Sequence, residues 1–163
     1  MNTLEHLQSK IISRKKLSKV IQRINSENKT IVFSNGCFDI VHRGHVEYLA
    51  KASDLADIFI LGLNTDASVS RLKGPSRPLQ DEQARAILMA GFSFIDYVVF
   101  FDEDTPLELI TEIQPDILVK GNDYKIEDVV GFDIVQRKGG TVQTIELTEG
   151  YSTSIIVDKI KNN

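Results

Sequence analysis

The chain has 163 residues, 42% of them hydrophobic and 26% charged, with a formal net charge of −4. That length supports a core burying about 70% of the unfolded surface, and the absence of a basic excess argues against a nucleic-acid partner. No apolar run reaches the ~18 residues of a membrane span, no signal-peptide core opens the chain, and the single cysteine, Cys37, cannot form an internal disulfide; the expectation is a soluble cytoplasmic protein with no membrane partner.

Residues 3–27 carry Leu4, Leu7, Ile11, Ile12, Leu17, Val20, Ile21 and Ile24 at roughly helical spacing, which predicts an amphipathic helix with an interruption near Ser13. Residues 1–28 are therefore read as a helical segment ahead of a core over 29–163, the whole making one domain. Ile31–Ser34 is short and wholly apolar up to its last residue, as a strand buried on both faces should be. A helix is predicted from about Arg43 to Leu55, then a second buried strand over Asp57–Leu63. Asn64 or Thr65 can cap the helix that carries Val69 and Leu72, and Lys73-Gly74-Pro75-Ser76-Arg77-Pro78 makes a cationic, mobile-looking loop.

Asp81–Phe92 reads as a helix and Asp96–Phe101 as a third strand. Pro106–Ile113 forms the next helix, with proline at its first position and acids before it. Asp116–Lys120 is a fourth strand followed by the loop Gly121-Asn122-Asp123-Tyr124. Val129–Lys138 is a helix closed by Gly139-Gly140, Thr141–Leu147 a fifth strand, and the last helix starts near Ser152. This alternation predicts an α/β fold, a doubly wound sheet of about five parallel strands with helices on both faces. In such sheets ligands bind beyond the C-terminal strand ends, where the strand order reverses. Each polar cluster, 35–45, 64–66, 121–124 and 148–154, follows a strand and so falls on that rim.

The most informative stretch is Asn35-Gly36-Cys37-Phe38-Asp39-Ile40-Val41-His42-Arg43-Gly44-His45. It reads as strand, glycine turn and helix start, the junction where α/β folds hold phosphates. His42 and His45, three apart, project from one face of the first helical turn. Gly44 lacks a Cβ, so a ligand can approach the backbone closely. The spacing is not His-Glu-x-x-His, and Cys37 has no second thiol near it, so no metal site is read here; neither a G-x-G-x-x-G nor a P-loop is present. Asp39 is either a cap or a ligand. Thr148-Glu149-Gly150-Tyr151-Ser152-Thr153-Ser154 crowds hydroxyls at a second helix start, a plausible anion site. Lys73, on its loop, can close over a triphosphate, and Arg85 on the following helix can reach the same space.

Gly36-Cys37-Phe38-Asp39-x-x-His42-x-Gly44-His45 resembles the G-x-F-D-x-x-H-x-G-H signature of cytidylyltransferase-like nucleotidyltransferases, which have a Rossmann-like fold. The segment 148–154 resembles their T-E-G-x-S-T-T signature, with Ser154 replacing the last threonine. Residues 33–40, 64–74, 101–106 and 119–124 are similar to D-glycero-β-D-manno-heptose 1-phosphate adenylyltransferases, in the form not fused to a heptose kinase. The resemblance implies transfer of AMP from ATP to heptose 1-phosphate, releasing pyrophosphate, for lipopolysaccharide or surface-glycan synthesis. It also implies Mg²⁺ accompanying ATP, a homodimer, and a separate heptose kinase upstream.

By the same resemblance His42, His45 and Lys73 act on the phosphates. Asn35, Gly36, Cys37, Phe38, Gly44, Gly121, Asp123, Tyr124, Glu149, Gly150, Ser152, Thr153 and Ser154 hold the nucleotide. Asp39, Asn64, Asp66 and Arg85 are assigned to the sugar phosphate. One departure stands out: glycerol-3-phosphate cytidylyltransferases carry an arginine where this chain has Leu147, which leaves one cation of the pocket unassigned. Two alternatives stay open: a cytidylyltransferase acting on glycerol phosphate or another small phosphorylated alcohol, and a nucleotide-binding regulatory module without catalysis.

Overall fold

The computed structural model describes residues 1–123 and 125–162. In chain order the elements are α1 (Thr3–Lys10), β1 (Ile11–Ile12), α2 (Arg14–Ser26), β2 (Ile31–Gly36), α3 (Arg43–Ser53), β3 (Ile58–Asn64), α4 (Asp66–Lys73), α5 (Glu82–Ala90), β4 (Tyr97–Phe101), α6 (Leu107–Ile113), β5 (Ile117–Gly121), α7 (Phe132–Lys138), β6 (Thr141–Ile145) and α8 (Thr153–Lys161). The strands form one parallel sheet in the order β1-β4-β3-β2-β5-β6.

Side chains alternate across that sheet with the strand period of two. Ile31, Phe33, Ile60 and Leu118 join one apolar cluster with Leu17 and Ile24 of α2, Leu109 and Ile110 of α6, and Val135 of α7. Val32, Phe59, Leu61 and Val119 join the other with Leu49 and Ala52 of α3 and Ala86 and Met89 of α5. Both faces are thus covered, which is why the strands are apolar runs rather than alternating ones. Each fully buried Phe or Leu contributes about 1.5–3 kcal/mol by leaving water.

The sheet has six strands where five were expected. The sixth is β1, inside what reads as one helix over 3–27. Asn2 and Glu5 form a capping box that starts α1, and Ile11 and Ile12 then pair with Val98 and Val99 at the sheet edge. Ser13 restarts the helix as α2. Residues 1–28 are therefore tied into the sheet. The helix expected over Val129–Lys138 begins only at Phe132, because a 3₁₀ turn (Ile126–Asp128) precedes it and Gly131 takes a left-handed φ of 92°. The last strand stops at Ile145. Among the described residues no helix is long and apolar enough to cross a membrane.

From β2 the chain winds outward through β3 and β4, then returns to place β5 on the opposite side of β2. The crevice between the C-terminal ends of β2 and β5 is the topological switch point of the sheet.

Candidate active site

A cavity of about 370 Å³ opens at that crevice. Its floor is the turn between β2 and α3, where Phe38 holds a left-handed φ of 47°. This is a costly conformation for a bulky residue, of the kind found at ligand sites. The turn aims the Phe38 ring edge-on at His45, with centroids 5.2 Å apart. His42 is the N-cap residue of α3 but makes no capping bond with its side chain. Its ring instead stacks on His45 at 3.8 Å and 25°. Gly44 makes this possible, since a Cβ there would sit 3.1 Å from the His42 ring.

Both imidazoles keep Nδ1 withdrawn from water and without a hydrogen-bond partner. An unpaired buried polar atom costs about 1–3 kcal/mol, a cost that an incoming oxygen anion removes. Burial holds the His42 pKa below its ordinary value. Burial, with the nearby His42 ring and the Lys73 charge, pushes His45 down to about 4 against a smaller opposing pull from the Ile40 backbone. Both rings are therefore neutral at physiological pH before a ligand arrives. Burial also raises the Cys37 thiol, which stays protonated.

Lys73 ends α4 on the cavity wall and is exposed. The loop after it is anchored by Asp39. The Asp39 carboxylate pairs with Arg77 at 2.6 Å and accepts from the backbone N–H groups of Leu79 and Gln80 at 2.7 and 3.0 Å. Burial pushes Asp39 up, but the bonds from Gln80, Arg77 and Leu79 outweigh it and hold the carboxylate ionised. Asp39 lines the cavity, yet its oxygens are already occupied.

The remaining sugar-phosphate assignments do not converge on this cavity. Arg85 is fully buried and donates to the carbonyls of Gln80, Cys37 and Asn64 and to the Asp66 carboxylate at 2.7–3.0 Å. Every arm of its guanidinium is engaged, so Arg85 braces the strand ends; Asp66 pairs with it through one carboxylate oxygen and stays partly exposed. Asn64 is buried, donates to the Ser68 hydroxyl and accepts a long contact from the Cys37 thiol; it borders a neighbouring cavity.

Asn35, Gly36, Cys37, Phe38, Gly44, Gly121, Asp123, Ser152 and Thr153 line the cavity as expected. Glu149, Gly150 and Ser154 are exposed and do not line it. Ser152 spends its hydroxyl capping α8 through the Ile155 N–H. Tyr124 lies outside the described residues. The segment after β6 is drawn against α3 by Thr148, which donates to Glu47, and by Arg43 over the Tyr151 ring at 5.2 Å.

Sequence reasoning missed Lys120. It enters the cavity from the end of β5 and donates to Asn35 Oδ1, and removal from water pushes its pKa down to about 8. It supplies a cation in the cavity that Leu147 also lines. The only sequence signal was a lysine ending an apolar strand. Its neighbour on β2 becomes visible only with the strand order.

A doubly wound sheet with paired histidines at its switch point, cations on both flanks and a hydroxyl-rich helix start opposite defines a nucleotidyltransferase of the Rossmann-like type. Residues 33–159 match the family model described as cytidylyltransferase-like, and the chain belongs to that family. The chain is 57% identical over 152 residues to the bifunctional protein HldE of Syntrophotalea carbinolica, covering 93% of this chain and 31% of that protein. The HldE of Campylobacter jejuni subsp. jejuni is 56% identical over 155 residues, covering 95% of this chain and 32% of that one. The chain thus spans about a third of the length of these curated relatives. A lipopolysaccharide core biosynthesis protein from Thermoplasma volcanium superposes with a TM-score of 0.61 at 27% identity, over 76% of this chain and 99% of that one. Pantoate-beta-alanine ligase from Francisella tularensis, at 14% identity and a TM-score of 0.55 over 94% of this chain and 78% of that one, shares the fold.

Proposed function

We propose that the chain transfers AMP from ATP to D-glycero-β-D-manno-heptose 1-phosphate, giving ADP-heptose and pyrophosphate. The observation that carries this reading is the stacked His42–His45 pair, its Nδ1 atoms unpartnered, set between Lys73 and Lys120 at the switch point. That is a site built for the phosphates of one molecule and the approach of another. The heptose acceptor is supported by the motif resemblance over 33–40, 64–74, 101–106 and 119–124. The identity to HldE proteins and the likeness to a lipopolysaccharide biosynthesis protein point the same way.

In this mechanism an oxygen of the sugar phosphate attacks the α-phosphorus of ATP. The bond from that phosphorus to the bridging oxygen of the β-phosphate breaks, and pyrophosphate leaves with the electron pair. The attacking oxygen is already anionic near neutral pH, so no strong base is required. His42 and His45 stabilise charge that builds on the α-phosphate, and Lys73 screens the leaving pyrophosphate. Among the described residues no group of three or more His, Cys, Asp or Glu side chains could cage a metal. Mg²⁺ would travel with the triphosphate, held by phosphate oxygens and water. When bound, that ion draws charge from the phosphates.

The same reading puts the chain in the cytoplasm, downstream of a sugar kinase activity that supplies the anomeric phosphate, and as a homodimer. Resemblance supports these points. Pyrophosphate release measured for ATP and CTP against heptose 1-phosphate and glycerol 3-phosphate tests the assignment. The expected result is turnover with ATP and heptose 1-phosphate alone. Preference for CTP and glycerol 3-phosphate would instead make the chain a cytidylyltransferase of small phosphorylated alcohols. Tight ATP binding with no turnover would make it a regulatory module.

A further inference from the structure

Lys120 stands between two cavities. The β2–β5 register pairs Phe33 with Leu118, so two residues further on Asn35 lies beside Lys120. Phe33 and Leu118 both belong to the core cluster under α2, α6 and α7, so Asn35 and Lys120 emerge on that face, opposite α3. Besides the histidine cavity, Lys120 borders a second one of about 310 Å³ on this side, walled by Asn64, Phe101, Thr105 and Val130. Asn35, Gly36, Cys37 and Lys120 are the rim common to both.

The ammonium of Lys120 is half-buried, and its hydrogen bond among the described residues goes to the neutral Asn35 amide. The Asp123 carboxylate and the Cys37 thiol act on it through space. Of the described residues walling the second cavity it is the single cation. A charged group held out of water against a neutral partner is poised to receive an anion. Arg85, which the sequence offered for that task, is fully engaged elsewhere.

Building on the nucleotidyl-transfer reading, we propose that Lys120 seats the phosphate of the acceptor. Its Nζ holds that phosphate at the shared rim, with one oxygen turned toward the α-phosphorus beside His42 and His45. The sugar lies in the second cavity, its hydroxyls facing Asn64 and Thr105. The two substrates thus approach from opposite faces of the sheet and meet over Gly36, and an acceptor without a phosphate has nothing to hold it at the rim.

The experiment compares Lys120→Met and Val130→Phe with the wild type in steady-state assays over heptose 1-phosphate concentration. ATP affinity is measured separately by calorimetry in the absence of the sugar. Losing one charge-assisted contact should lower kcat/KM for the sugar phosphate about 10- to 100-fold in Lys120→Met, chiefly through KM. ATP affinity should stay within about 3-fold, which a merely structural lysine bordering both cavities would not preserve. Val130 is exposed at the wall of the second cavity, and a phenylalanine there should raise the sugar-phosphate KM while sparing ATP. Weakened ATP binding with an unchanged sugar-phosphate KM would make Lys120 a triphosphate ligand and overturn the proposal, as would a Lys120→Met enzyme unchanged in both. If Lys120→Met does not fold, an unaltered sugar-phosphate KM in Val130→Phe overturns it. A wild type inactive on every sugar phosphate defeats the underlying functional reading, and this assignment with it. An active wild type with indifferent variants defeats this assignment alone.

Discussion

Replacing His45 with alanine separates catalysis from stability more cleanly than any other change at this site. The imidazole gives the fold an edge contact with Phe38 and a stack on His42, each worth about 0.5–1.5 kcal/mol. Against that stands its own unpartnered Nδ1, a cost of about 1–3 kcal/mol that alanine removes. The two nearly cancel, so His45→Ala should melt within a few degrees of the wild type. Catalysis has no such offset. Removing one preorganised group that stabilises developing charge costs about 2.7–4 kcal/mol in the transition state, a fall of about 10²- to 10³-fold in kcat. A coupled pyrophosphate assay gives kcat and the KM for ATP, and calorimetric melting gives the stability control. A kcat within a few-fold of wild type would refute the role given to His45. So would a loss of activity that tracks a large drop in melting temperature.

Other expectations concern pH and the groups around the pair. The folded pKa of His45, about 4, lies below the ~6.5 of an unfolded histidine. Its contribution to stability is therefore intact above about pH 6.5 and is lost as pH falls toward 4, because the unfolded chain binds the extra proton. The melting temperature should drop between pH 7 and pH 5, and drop less in His45→Gln. ATP, as an anion against neutral imidazoles, should raise their pKa values. Calorimetric titrations at pH 6 in buffers of different ionisation enthalpy should then show proton uptake that fades by pH 8. Asp39→Asn weakens the anchor of the loop after Lys73 and should lower kcat about tenfold or more without abolishing ATP binding, read by the same kinetics and calorimetry. Arg85→Met removes a buried guanidinium that joins three carbonyls and Asp66. It should cost about 3–5 kcal/mol in denaturant unfolding, a stability loss that an arginine facing a ligand would not produce.

The parallel order of strands and helices was legible because each buried strand here is a short apolar run with its own polar punctuation. The rim followed from that order, and the His42–His45 pair from a spacing that reads directly on a helix. β1 was not legible, since Ile11 and Ile12 continue the helical periodicity of their neighbours and only pairing with Val98 and Val99 makes them a strand. Charge was harder still. Asp66 and Arg85 read as free ligands because nothing in a sequence says that two residues nineteen apart neutralise one another. In sequence Asp39 is a cap or a ligand and Arg77 a loop charge; together they are the anchor of that loop. Lys120 is hidden in the sequence for the converse reason: its significance lies in the adjacency of β5 and β2, a contact between residues more than eighty apart.

Nucleotidyl transfer to the sugar phosphate can be followed by phosphorus NMR of the enzyme incubated with ATP, Mg²⁺ and D-glycero-β-D-manno-heptose 1-phosphate. The prediction is that the signals of ATP and of the sugar phosphate decline together, while those of pyrophosphate and a sugar diphosphate nucleotide grow in equal amounts. Pyrophosphate formed without the sugar nucleotide, or a sugar phosphate left untouched while CTP and glycerol 3-phosphate react, would contradict it.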